Sequence, residues 1–181
     1  MNDEHGRTRR AGLAPFLEIF QQAASRLRCA PWFGEEWICK CDLWPSAAQP
    51  RGVVLKLLKR HWSDDRPDKI GNTSGIFFSL WTDGTKLTEL RYNIHALKLR
   101  QLKGYTLQSR KFAADFREAF LQREGEWPQL RVDYGPQTLM EGAVLLTLEK
   151  GEDLLMDLSS RFPPVAEIID GLLRQAEKAG N

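Results

Sequence analysis

Two apolar runs, 75-GIFFSLWT-82 and 86-KLTELRYNI-94, flank the dipeptide Asp83-Gly84. The first run is rich in aromatic and branched residues, and in the second apolar and polar residues alternate, as expected of β-strands. Asp-Gly is typical of a type I′ turn, whose two central residues both take positive φ. The sequence therefore predicts a β-hairpin closed by a type I′ turn.

Further strand signals lie on both sides of this hairpin. Residues 35–44 alternate with period two, and Pro45 ends the pattern. Residues 53–60 fit a strand or a helix, and Gly52 with the paired valines favours the strand. Two shorter runs, residues 130–134 and 143–149, predict further short strands. Together these runs predict an antiparallel meander.

Helical periodicity appears in three places. Apolar residues recur at helical spacing in residues 15–28, after Ser109 towards Gly125, and from residue 163 onward. This pattern predicts a single α+β domain over residues 12–181, with a mainly antiparallel sheet of about four to six strands and helices packed against it. Residues 1–11 are polar and unpatterned, and we expect a mobile tail. The side chains expected to share one core are Trp37, Cys39, Cys41, Phe78, Leu80, Tyr92, Phe112 and Phe116.

Composition excludes several classes of protein. The chain has 181 residues, of which 42% are hydrophobic and 28% charged, as in ordinary globular domains. Its apolar runs are too short for a membrane span, and the charged N-terminus does not resemble a secretory signal. Three cysteines at unsuitable spacing favour a reducing compartment over a disulfide framework or a zinc site. We therefore expect a soluble cytoplasmic protein without metal or other cofactor.

Charge is distributed unevenly along the chain. The net charge is only +2, but basic residues are in excess up to Lys111 and acidic residues are in excess beyond it. Within the basic part, one stretch contains five cations and no acid: Lys98, Arg100, Lys103, Arg110 and Lys111. Such a stretch attracts an anionic partner, either nucleic acid or an acidic protein, unless acidic residues of the C-terminal part neutralise it internally.

A polar row follows the hairpin turn. With period two, Glu89, Arg91, Asn93 and His95 project to one face of their strand. This face is either a solvated sheet surface or a cleft. Together with Asp83, the row loosely resembles the Asp and the Glu-x-Lys pair that hold Mg²⁺ in restriction-endonuclease-like cores. Arg91 stands where the lysine of that pair is expected. Asp83, Glu89, Arg91 and His95 are therefore the catalytic candidates of a metal-dependent nuclease alternative.

The leading hypothesis is a binding or interaction module for an anionic partner. The six tryptophans are interpreted mainly as core and rim residues. Besides the nuclease, a third alternative is a small-ligand pocket between the sheet and the helix that begins at Ser109. Oligomeric state and ligand identity are not indicated by the sequence.

Overall fold

The computed structural model describes residues 3–46, 50–64, 70 and 74–177, with side chains from residue 11 onward. In these residues the helices and strands are α1 (Asp3–Arg28), β1 (Trp37–Trp44), β2 (Gly52–Lys59), β3 (Gly75–Asp83), β4 (Glu89–Leu97), α2 (Ser109–Phe120), β5 (Thr138–Leu145), α3 (Gly151–Ser160) and α4 (Phe162–Gln175). The predicted single α+β domain is confirmed.

The five strands form one antiparallel sheet in the order β1-β2-β3-β4-β5. Each strand therefore pairs with its neighbours in the chain, and the predicted meander and strand number are confirmed. The strand interpretation of β2 is also correct, since its residues pair in register on both sides. The run at 130–134 contributes only an isolated bridge between Arg131 and Glu141.

The hairpin between β3 and β4 exists, but its turn is not of type I′. Positive φ among the described residues occurs only at Gly75, Lys98, Gly104 and Gln129, so neither Asp83 nor Gly84 adopts it. Instead, the Asp83 carboxylate accepts hydrogen bonds from the backbone N and the Oγ1 of Thr85, at 2.8 and 2.7 Å. This side-chain turn replaces the tight Asp-Gly turn and leaves residues 84–88 as a longer loop.

One face of the sheet packs against the helices. On β4, Leu90, Tyr92 and Ile94 are completely buried and point to this side. Across from them, α2 contributes its predicted stripe of Phe112, Ala113, Phe116 and Phe120. Seven of the eight side chains of the predicted core belong to the resulting cluster, and the eighth, Cys41, is partly buried and packs against it. We call this side the helical face and the opposite side the outer face.

The helices differ from the prediction at both ends of the chain. The α1 helix begins at Asp3 instead of Pro15, so this proline lies inside the helix instead of in its first turn. Whether residues 1–11 are mobile stays a prediction. The α3 helix was not predicted; it buries Leu155 and Leu158 and packs against α1. None of the described helices combines the length and apolarity that crossing a bilayer requires.

The three cysteines are free thiols. Cys29 is exposed at the end of α1, whereas the other two lie on β1. Burial raises the pKa of Cys39 to about 11 and that of Cys41 to about 12. Both β1 thiols are therefore protonated and unreactive at neutral pH.

Candidate functional site

The polar row of β4 lies on the outer face, as the alternation predicts. Glu89, Arg91 and His95 are partly exposed there, but Asn93 is only 3% exposed. The row is therefore not a uniformly solvated surface. Its middle is covered by neighbouring side chains.

Strand register extends this polarity across the sheet. Lys56 pairs with Ser79, Ser79 pairs with Asn93, and Asn93 pairs with Glu141. These four residues form a straight line over β2, β3, β4 and β5, which we call the polar stripe. Lys56, Ser79 and Asn93 are 2, 6 and 3% exposed, so three quarters of the stripe is buried. Buried polar residues in line on a sheet face are uncommon, because burial of polar groups is unfavourable unless they are paired.

A cavity of about 330 Å³ lies over the polar stripe. Besides the stripe, the residues that line this outer-face cavity are Trp44, Val54, Ile70, Phe77, Trp81, His95 and Leu97. Its walls are largely aromatic and aliphatic, and its floor is polar. This combination of apolar walls and a few polar groups is typical of small-molecule sites.

The charged residues of the cavity are engaged with their neighbours. The Lys56 ammonium lies 3.6 Å from the centre of the Phe77 ring, a cation–π contact. The Glu141 carboxylate accepts a hydrogen bond from Arg91, whose guanidinium also lies 5.0 Å from the ring of Trp81. Asn93 differs from these residues, since its Oδ1 is buried and has no hydrogen-bond partner among the described residues.

His95 closes one end of the cavity as a neutral imidazole. Burial lowers its pKa, while the hydrogen bond to Gln137 and the charge of Glu141 act in the opposite direction. The Nδ1 atom lies 3.3 Å from the Gln137 carbonyl oxygen and 3.2 Å from Thr138 Oγ1. Because a carbonyl oxygen can only accept, Nδ1 carries the proton. Nε2 is then an acceptor.

The four nuclease candidates are not brought together. Glu89 and His95 stand six residues apart on one strand, which separates them by about 20 Å. Asp83 lies at the hairpin end, where hydrogen bonds from Thr85 and then from Arg51 lower its pKa. Glu89 is paired with Lys86 and Arg91. Within the described part of the chain, no group of three or more His, Cys, Asp or Glu side chains is arranged to hold a metal ion.

The predicted basic stretch is exposed. The exposed cations are Lys98, Arg100 and Lys103 between β4 and α2, and Arg110 and Lys111 in the first turn of α2. Lys111 is paired with Asp115 at 2.6 Å. The side chains of the other four form no ion pair with the described residues, although the backbone N of Lys103 donates to Asp64 Oδ2 at 2.8 Å. We refer to residues 98–111 as the basic segment.

A cluster around Asp170 escaped the sequence analysis. This carboxylate on α4 accepts hydrogen bonds from Lys59 Nζ at 2.7 Å, His61 Nε2 at 2.9 Å and Trp62 Nε1 at 2.7 Å. Burial raises the pKa of Asp170, but the three hydrogen bonds outweigh it and lower the value to about 2. The donors lie more than 100 residues away along the chain, and no local pattern indicates such a contact.

The space between the sheet and α2, where a ligand pocket was the third alternative, is filled by core side chains such as Phe112 and Phe116. The outer-face cavity lies on the opposite side of the sheet. Comparison with known proteins adds no functional information: no family model, curated protein or solved structure matches the chain.

Proposed function

We propose that the protein is a binding module for nucleic acid and that it binds through the basic segment. The observation that carries this proposal is the exposure of its five cations, four of which form no ion pair with the described residues. Exposed cations at short spacing attract phosphates, because each phosphate contact releases condensed counterions from the nucleic acid.

Some acidic residues of the C-terminal part are paired away from the segment. Arg26 binds Glu152 and Asp153, and Arg161 binds Asp157. Within the segment, Lys111 is paired with Asp115, and the backbone N of Lys103 donates to the Asp64 carboxylate. Neutralisation by the described acidic residues is therefore partial.

The start of α2 adds a second argument. A helix N-terminus carries partial positive charge, and acidic residues there are stabilising. The first turn of α2 contains no acid and instead begins with Ser109, Arg110 and Lys111. Because Lys111 is paired with Asp115, the attraction for an anion here comes mainly from the helix terminus and Arg110. A groove of about 240 Å³ lies beside them, and Gln108, Lys111 and Asp115 are among its lining residues.

Nucleic acid is favoured over an acidic protein because its phosphates repeat regularly along a flexible strand and can follow cations spread over a segment. A nuclease activity has no comparable support, since its carboxylates do not converge. The cytoplasmic location stays a prediction.

Titration of fluorescently labelled single- and double-stranded oligonucleotides at several salt concentrations tests the proposal. If three or four phosphates are neutralised, the logarithm of the association constant falls against the logarithm of salt concentration with a slope of about −2 to −4. The double variant Arg100→Glu/Lys103→Glu should lose affinity at least about tenfold at low salt. The matched control Arg123→Glu/Lys150→Glu changes net charge equally outside the segment and should retain most of the affinity.

Three outcomes contradict the proposal. Binding is absent even at low salt, or both double variants lose affinity equally, or polyglutamate of matched charge binds as tightly as the oligonucleotide. The last result assigns the segment to an acidic protein partner.

A further inference from the structure

The polar stripe under the outer-face cavity includes a side chain that the fold itself does not satisfy. Asn93 is 3% exposed, lines the cavity and has a buried Oδ1 without a hydrogen-bond partner among the described residues. Leaving a buried polar atom unpaired destabilises a protein, and such atoms are therefore uncommon in native structures. Asparagine at position 93 is therefore better explained by ligand binding than by a contribution to the stability of the fold.

The walls of the cavity select a flat molecule. Trp44 and Trp81 meet edge to face with ring centres 5.0 Å apart, and Phe77 lies edge to face with His95 at 5.4 Å. Aromatic surfaces of this kind bind the π-face of a planar ring. The volume of about 330 Å³ lies at the lower end of the usual range for ligand sites, which limits the ligand to a small ring system.

The floor selects the functional groups of that ring. The carboxamide of Asn93 offers a donor and an acceptor side by side, and an asparagine in this situation pairs twice with the edge of a heterocyclic base that carries a donor beside an acceptor. This complementarity holds for either orientation of the amide.

The ionisable side chains of the cavity are engaged with neighbouring groups of the fold. Lys56 lies over the Phe77 ring, and Arg91 and Glu141 form an ion pair. A neutral ligand leaves these contacts in place.

We propose that the outer-face cavity binds one flat, neutral heterocyclic base, stacked against its aromatic walls and paired through a donor and an acceptor with the Asn93 carboxamide. The base is either a free molecule or part of a single-stranded nucleic acid. The proposal does not rest on phosphate binding by the basic segment, because the residues of the cavity floor and walls lie outside that segment.

Titration with 9-methyladenine and 9-methylpurine tests this site, because the two probes share their ring system and only the first has an amino donor beside a ring acceptor. Binding is followed by calorimetry and by the indole N–H signal of Trp44 in NMR spectra of the full chain. We expect 9-methyladenine to bind about 2- to 12-fold more tightly, the range that one net hydrogen bond confers. Asn93→Leu, which preserves size and removes the amide, should abolish this preference and raise Tm by about 2–4 °C.

Two further variants complete the experiment. Gln22→Leu removes an exposed amide on α1 and should leave the preference unchanged. Trp81→Leu removes one aromatic wall and should weaken both probes, a result that remains informative if Asn93→Leu does not fold.

The proposal is overturned if neither probe perturbs Trp44 up to its solubility limit, if Asn93→Leu retains the preference, or if Trp81→Leu binds both probes as tightly as the wild type. A parallel titration with single-stranded oligoadenylate distinguishes the sources. The natural ligand is a base within a strand if oligoadenylate shifts the Trp44 signal more than the free base does and if Arg100→Glu/Lys103→Glu retains this shift at high protein concentration. The natural ligand is a small molecule if only the free base shifts the signal.

Discussion

Asp170→Asn removes a single negative charge that joins α4 to the end of β2. In the native structure this carboxylate is 14% exposed and accepts hydrogen bonds from Lys59, His61 and Trp62. Its pKa is lowered from 3.8 to about 2. The asparagine side chain has nearly the same shape, so the substitution changes charge and hydrogen bonding more than packing.

The magnitude follows from the pKa. A difference of nearly two units corresponds to about 2.4 kcal/mol at 1.36 kcal/mol per unit. Solvent and salt reach part of this cluster, and we therefore expect a loss of about 1–2 kcal/mol in the free energy of unfolding at pH 7. Because the folded pKa is depressed, this stabilisation is complete above pH 3.8 and is lost as the pH falls towards 2.

Urea unfolding followed by tryptophan fluorescence at pH 7, 5 and 3 measures the effect. The difference between wild type and Asp170→Asn should be clearly smaller at pH 3 than at pH 5 or pH 7. Asp133→Asn is a matched control, since Asp133 is paired with Arg131 on the surface and its substitution should change stability little. A loss of equal size at pH 7 and pH 3 would refute the electrostatic reasoning and assign the effect to packing or to neutral hydrogen bonds.

Two other predictions concern the core and the thiols. Phe116→Ala should reduce the free energy of unfolding by about 3–5 kcal/mol in urea melts, because Phe116 is completely buried and stacks on Phe120 with ring centres 5.3 Å apart. The control Glu118→Ala, on the exposed side of the same helix, should change the free energy of unfolding little. A loss below about 1 kcal/mol in Phe116→Ala means that the site collapses around the smaller side chain. An aromatic disulfide reagent should react rapidly with one thiol of the native protein, that of exposed Cys29, and with all three thiols in denaturant. Rapid reaction of all three thiols in the native state would show that β1 opens readily.

The sheet was predictable because the local sequence of its strands has a recognisable pattern. Period-two alternation identified β1 and the two faces of β4, and the Asp83-Gly84 signal placed β3 beside β4. The turn after β3 was not predictable in type, since Asp83 can either adopt positive φ or form a side-chain turn with Thr85, and only the second leaves its carboxylate paired. The start of α1 was misplaced because a proline is usual in a first turn but Pro15 lies inside the helix.

The sites depend on information that a single strand does not contain. Alternation placed Asn93 and His95 on one face, but the cavity around them is lined by side chains from four other strands and by Ile70. The polar stripe requires the register of four strands, which depends on loop lengths and turn types. The Asp170 cluster joins residues more than 100 positions apart. The exposure of the basic segment was left open by the sequence, and its partial neutralisation emerged only from the pairing of the acidic residues.

The packing of α1 against α3 has a consequence for synthesis of the chain. Arg26 of α1 pairs with Glu152 of α3, 126 positions later, and the meander between them can form before α3 exists. At ribosomal rates of about 5–20 residues per second, α1 waits on the order of 6–25 s for this partner. During that interval the α1 surface destined for α3 is uncovered in the nascent chain. A chaperone that binds amphipathic helices therefore has a long opportunity at α1.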